Sequence, residues 1–239
     1  PILVERLGGD VFLVGVIIAT FSLFQFLFSP IIGRLSDKYG RRPLLILTAF
    51  INALSYIMVF FLPSLPFLFI ARIIAGIGSA NISVAQAYVA DTSKSHERTK
   101  KMALIGAAFG LGFIFGPFIG GVVSELFGPN YPFIIPGILS LINTVLIYAL
   151  LPESNKALQK HIKIEFFNLK VTREVLRPKN MAFLLLLFFF VNLSLALIIG
   201  VFQIFAEQKF GWNEAQNGYY FGLIGVGSFV TQVYLIRLM

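Results

Sequence analysis

An aspartate sits among four cations in the stretch Gly33-Arg34-Leu35-Ser36-Asp37-Lys38-Tyr39-Gly40-Arg41-Arg42-Pro43. Such a group can make and break charge-assisted hydrogen bonds. Arg72 stands alone inside an apolar run, where an ionisable side chain costs on the order of 2.5–3.5 kcal/mol on insertion scales and must face protein or water. The absence of Cys excludes disulfides, thiolate metal sites and Cys nucleophiles. His96 and His161 lie in separate basic stretches and read as solvated loop residues, not as metal ligands or a catalytic base. The sequence has no His-x-x-x-His, no Ser/Lys pair and no paired intramembrane Asp, and no strand precedes Gly110-Leu111-Gly112 to make it a dinucleotide loop. No catalytic residue, metal site or cofactor is expected, and the chain does not read as an enzyme.

The elements that must hold these charges are set by the composition. Of 239 residues, 57% are hydrophobic and 13% charged, a balance suited to lipid rather than to a soluble surface. Apolar runs long enough to cross a bilayer as helices fall at about Val11–Ile32, Pro43–Leu62, Leu65–Ala90, Met102–Val123, Tyr131–Leu151, Met181–Ala206 and Gly218–Ile236. They are continuously apolar and do not alternate with period two, so helices fit and barrel strands do not. The fold class expected is an all-α membrane protein. Pro1 to Asp10 reads as a loop leading out of something absent; with no initiator Met and no signal-peptide pattern, the chain reads as a fragment.

A net charge of +8 would suggest nucleic acid in a soluble protein, but the cations segregate by loop. Sixteen of the nineteen Lys and Arg fall in the stretches around Arg34–Arg42, Lys94–Lys101 and Lys156–Lys179 and at Arg237, with Arg6 and Lys209 on the other side and Arg72 within a helix. By the positive-inside rule those basic stretches face the cytoplasm, in the plasma membrane or the inner membrane of a bacterium. Lipid is the expected partner and nucleic acid is not. Residues 152–180 form a Lys-rich linker between a first part, 1–151, with five spans and a second, 181–239, with two. In the linker Ile162, Ile164, Phe166, Phe167, Leu169, Val175 and Leu176 are interspersed with charges, a pattern for lying on the inner leaflet or for a flexible tether.

The stretch from Gly33 to Arg42 resembles the G-x-x-x-D-[RK]-x-G-R-R signature of the major facilitator superfamily at every fixed position: Gly33, Asp37, Lys38, Gly40, Arg41 and Arg42. The resemblance implies that the seven runs are helices two to eight of a twelve-helix fold, the linker joining its six-helix halves, with helix one and helices nine to twelve absent. Arg72-Ile73-Ile74-Ala75-Gly76-Ile77-Gly78 looks like the fourth-helix motif linked in the family to proton transfer, involving Arg72 and Gly76, with snorkelling of Arg72 to the nearby interface as the alternative. Gly106, Gly110, Gly112, Gly116, Pro117, Gly120 and Gly121 place small residues along one run, as in a close helix seam. The end of that run, Gly116-Pro117-Phe118-Ile119-Gly120-Gly121, resembles the fifth-helix motif of antiporters.

Ala90-Asp91-Thr92, Glu97-Arg98 and Leu151-Pro152-Glu153-Ser154 narrow the resemblance to tetracycline and multidrug exporters, which implies exchange of a small amphipathic compound for protons by a carrier that is monomeric when complete. The chain departs from tetracycline carriers in having Ser55 where they have an intramembrane Asp on the third helix, so the resemblance does not extend to tetracycline as the substrate. No carboxylate falls inside the apolar runs, which puts the expected proton carrier in the absent helices, the first above all. Gln25, Asn81, Gln86, Asn143, Asn192 and Gln203 are candidates to line a substrate cavity, and each could equally bond a neighbouring helix. The same resemblance puts Asp37, Arg41 and Asp91 in one gate at the cytoplasmic mouth. A nutrient or metabolite carrier of the same fold, and a non-transporting scaffold or truncated paralogue, are the alternatives.

Overall fold

The structure, a computed structural model, describes residues 2–155 and 177–238; at some helical positions, Gln203 and 228–238 among them, side chains lie outside the description. The linker residues 156–176, including Ile162 to Leu176, also lie outside the described residues.

The opening stretch, expected as a loop, contains a short helix α1 (Ile2–Arg6). The apolar side chains of Leu3 and Val4 explain it, since both are buried against Val14, Ile17, Val59 and Leu68 at one end of the bundle. Helix α2 (Val11–Tyr39) starts at Asp10, whose carboxylate accepts the Leu13 N–H at 2.8 Å and so satisfies one of the free donors of the first turn.

The signature stretch, expected as a loop from Gly33 to Pro43, is helical through Tyr39 and again from Arg41, where α3 (Arg41–Phe61) begins. The whole reversal is made at Gly40, with φ +104° and ψ 153°, a conformation that side chains other than glycine rarely adopt. The third apolar run is also not one helix. It is divided into α4 (Leu65–Ser79) and α5 (Ile82–Thr92) by a turn at Ala80–Asn81.

Helix α6 (Ser95–Phe127) contains Pro117, and a 3-10 turn (Tyr131–Phe133) leads into α7 (Ile134–Leu150). Helices α8 (Lys179–Phe210) and α9 (Glu214–Leu238) are joined through Gly211, left-handed at φ +66°, which ends α8. Among the described residues five helical spans are long and apolar enough to cross a membrane, from Val11–Tyr39 to Tyr131–Leu150.

Helix α4 packs on α2 and α3, α3 also packs on α7, and α6 packs chiefly on α9. Buried apolar side chains range from Ile17, Leu44 and Leu68 to Ala49, Ala53, Ala71 and Ala75, small residues that allow α3 and α4 a close approach. Many large apolar side chains point outward, with Phe188 69% and Leu223 73% exposed, as expected of surfaces that lipid solvates. Several hydroxyls are satisfied within their own helices: Thr20 donates to the Val16 carbonyl, Thr48 to Leu44 and Thr144 to Ser140.

Candidate functional site

At the end of the bundle that carries the basic loops, four chain segments converge on Arg41. Arg41 occupies the first position of α3, and its side chain is only 11% exposed. Its Nη1 lies 2.6 Å from Asp37 Oδ1, one turn back across the Gly40 reversal. The same nitrogen donates to Ser36 Oγ at 2.5 Å, and Nε donates to Asp91 Oδ2, from the last turn of α5, at 3.1 Å. One planar guanidinium therefore ties the end of α2 to the end of α5, a geometry that suits the fork of Arg and not the point charge of Lys.

The N-terminus of α3 needs an acceptor, because Gly40 at its cap has no side chain. Glu153, just beyond α7, supplies it: Oε1 accepts the Arg41 N–H at 2.9 Å and Oε2 the Arg42 N–H at 3.0 Å. A Cβ on Gly40 would lie 2.5 Å from Glu153 Oε2, so the glycine is required for space as well as for its φ. Burial pushes the Glu153 carboxyl up, but N–H bonds from Asn155, Arg41, Arg42 and Ser154 outweigh that and hold it below the usual carboxylate range.

The residues around Glu153 complete a strap. Ser154 Oγ donates to Asp91 Oδ2 at 3.3 Å, Asn155 Nδ2 to the Asp37 carbonyl at 3.1 Å, and Tyr88 Oη to the Pro152 carbonyl at 3.1 Å. Arg42 turns the other way, donating to the Tyr148 carbonyl at 2.5 Å with its guanidinium 5.5 Å from that ring. The resemblance put Asp37, Arg41 and Asp91 together, but the linear sequence showed no bonding role for Ser36, Asn155 or the Glu153-Ser154 pair that helped carry the resemblance. The available signal was a helix start capped by glycine, which calls for an acceptor from elsewhere in the chain.

The remaining candidates scatter. A Cβ on Gly33 would lie 3.7 Å from Ser83 Oγ, so Gly33 faces α5. Arg72 lines a cavity of about 10 Å³ with Ser55, Tyr56, Val59 and Phe133, and its Nε is buried with no hydrogen-bond partner among the described residues. Gly76 sits against α2, where a Cβ would lie 2.6 Å from the Phe21 carbonyl oxygen.

The single small-residue face expected on α6 is divided in two. Gly110 and Gly121 are buried, and next to them Pro117 meets Gly218 of α9, on which a Cβ would lie 2.7 Å from the Pro117 carbonyl. Gly106, Gly112, Gly116 and Gly120 would each take a Cβ with nothing within 4 Å, so they do not form a tight seam among the described residues. Residues spaced by four fall on one face, and 112, 116 and 120 are turned away from 110, 117 and 121. Gly112 and Pro117 instead line an open groove of about 530 Å³ with Ile105, Ala108 and Phe109.

Of the cavity candidates, Gln25 donates to the Ser79 carbonyl and Asn192 to the Phe188 carbonyl of its own helix. Asn81 stands at the break between α4 and α5, Gln86 and Asn143 are exposed, and the Gln203 side chain lies outside the described residues.

The Major Facilitator Superfamily family model matches residues 1–239, the whole length. The chain belongs to that superfamily. Among curated proteins, this superfamily member is 33% identical to the class B tetracycline resistance protein of Escherichia coli over 89% of the chain and 53% of that protein. It is 35% identical to the class D protein of Salmonella ordonez over 90% and 53%, and 30% identical to multidrug resistance protein 2 of Bacillus subtilis over 92% and 56%. Among solved structures, the human organic anion transporter MFSD10 (TETRAN) superposes with a TM-score of 0.71 at 27% identity, covering 96% of the chain and 59% of that protein. The chain thus spans about half the length of the curated relatives it matches. Its fold is the major facilitator helical fold, its place is a membrane, and its relatives belong to a family of transporters, not enzymes.

Proposed function

We propose that the chain supplies helices two to eight of a twelve-helix secondary transporter that exports small amphipathic compounds in exchange for protons by alternating access. In this reading residues 1–151 belong to the N-terminal half, 152–180 to the linker and 181–239 to the C-terminal half, and the complete protein is a monomer in the plasma membrane with its basic loops in the cytoplasm. The observation that carries it is the Arg41 bridge between Asp37 and Asp91, held by the Glu153 cap. A bistable carrier needs a contact made in one state and lost in the other, and three partly exposed charged groups joined by single hydrogen bonds can be exchanged in that way.

The likeness to tetracycline and multidrug resistance proteins favours drugs as cargo, and the Gly116–Gly121 motif favours exchange over co-transport. The small pocket at Arg72 is consistent with a group that acts on a neighbouring helix, and Gly76 brings that stretch of α4 against α2.

The test is transport by the full-length protein in inverted vesicles with an imposed proton gradient and a panel of chemically diverse drugs. Accumulation of one or more compounds that collapses with the gradient is the expected result. Uptake that ignores the gradient, or no transport of any compound by a protein that is correctly inserted, would remove the antiport reading.

A further inference from the structure

The break in the third apolar run lies deep in the bundle, about fifteen residues from its start at Leu65, where no helix terminus is needed to leave the membrane. Ala80 and Asn81, with φ/ψ of −66°/−1° and −73°/−10°, tighten the chain there, and the Ala80 N–H reaches back to the Ile77 carbonyl at 3.2 Å, a 3-10 bond. The Gly78–Ser79 pair just before it permits a bend, and neither Ala80 nor Asn81 is a Pro that would force the turn. It is gripped from outside. Gln25 Nε2 on α2 donates to the carbonyl of Ser79, the last residue of α4, at 3.1 Å. Ser79 Oγ donates to Asn52 Oδ1 on α3 at 3.3 Å, and a Cβ on Gly78 would lie 2.7 Å from the same oxygen.

We infer that Gln25 is a positioning residue, not a substrate contact: it holds the carbonyl end of α4 and thereby sets the angle at which α5 presents Asp91 to Arg41. A carbonyl at a helix end in an apolar span needs a donor, and Gln25 reaches it from 54 residues away in sequence. The piece beyond the break is the one that matters at the basic end, because α5 carries Tyr88 and Asp91, both bonded across to other segments. With Ser79 fixed to α2 and α3, α4 stays with them, and the freedom in the span is confined to Ala80–Asn81. The consequence for turnover rests on the transporter reading above; the placement of α5 does not.

The experiment compares Gln25→Met, which keeps the length but loses the donor, with Gln25→Glu, which as a neutral acid keeps one. Both are made in the full-length protein bearing spin labels on cysteines replacing Leu47 of α3 and Thr92 of α5. The distance distribution is recorded without substrate, and export kinetics are measured in unlabelled protein. Gln25→Met should broaden the distribution at least twofold and lower maximal export at least tenfold with KM within twofold, while Gln25→Glu should restore the narrow distribution. If Gln25→Met does not accumulate in the membrane, Gln25→Asn, too short by one methylene, must broaden the distribution in the same way. An unchanged distribution in the variant that accumulates overturns the inference, and one accompanied by a raised KM would return Gln25 to the substrate. A protein that transports nothing still answers through the distances, so failure of the transporter reading is separable from failure of this one.

Discussion

Replacing Arg41 by Lys keeps the charge, and so the topology signal, while removing the fork. Arg41 makes a bond to Asp91 through Nε and bonds to Asp37 and Ser36 through Nη1. A lysine ammonium is a compact charge that cannot take both carboxylates in these directions, so one bridge is lost. A hydrogen bond to a charged group contributes about 1.5–3 kcal/mol, and an exposed ion pair about 0–1 kcal/mol. Because Asp37 and Asp91 are 35% and 32% exposed while Arg41 is 11% exposed, the lost bridge belongs between these limits, at about 1–2 kcal/mol after solvent screening. That corresponds to about a 5–30-fold shift in the balance between the two states the bridge distinguishes. In the full-length protein Arg41→Lys should therefore accumulate within about twofold of the parent, export at least fivefold more slowly, and render cysteines introduced beside Asp91 more reactive. Asp91→Asn should resemble it, and the double variant should be no worse than either single, the signature of a shared contact. Parental export by Arg41→Lys with unchanged cysteine reactivity, or strictly additive losses, would refute the bridge as a gate.

Glu153 gives a pH prediction. Its carboxyl is held below the ordinary range in the folded protein, so its contribution is present above the unfolded value of about 4.3 and is lost as pH falls through the folded value. The melting midpoint of Glu153→Gln in detergent should lie below the parent's at neutral pH and converge with it in that acid window; a constant gap would show that the carboxylate charge is not what caps α3. Gly78→Ala should destabilise by about 1–3 kcal/mol, since its Cβ would meet the Asn52 backbone nitrogen at 3.0 Å, whereas Gly106→Ala, with nothing within 4 Å, should be neutral or slightly stabilising by melting. Cysteines replacing His96 and Pro129 should be labelled from opposite sides of the membrane, position 129 from outside intact cells; labelling of position 96 from outside would invert the topology.

The sequence by itself determined the solvent and the family, because each rests on residue type and linear spacing alone. Apolar runs of bilayer length require helices in lipid, and the pattern from Gly33 to Arg42 is contiguous, so neither needs tertiary information. Tertiary structure decided what surrounds those residues. The turn at Ala80–Asn81 is announced by no Pro, and the partners that grip it, Gln25 and Asn52, stand on other helices. The α6 glycines read as one ridge, but only the packing of α9 shows that Gly110 and Gly121 lie on the contacted side and Gly112 and Gly116 do not. Glu153 caps α3 from 112 residues away, a partnership that local sequence cannot encode because a free helix N-terminus asks for any acceptor and the fold alone decides which one arrives.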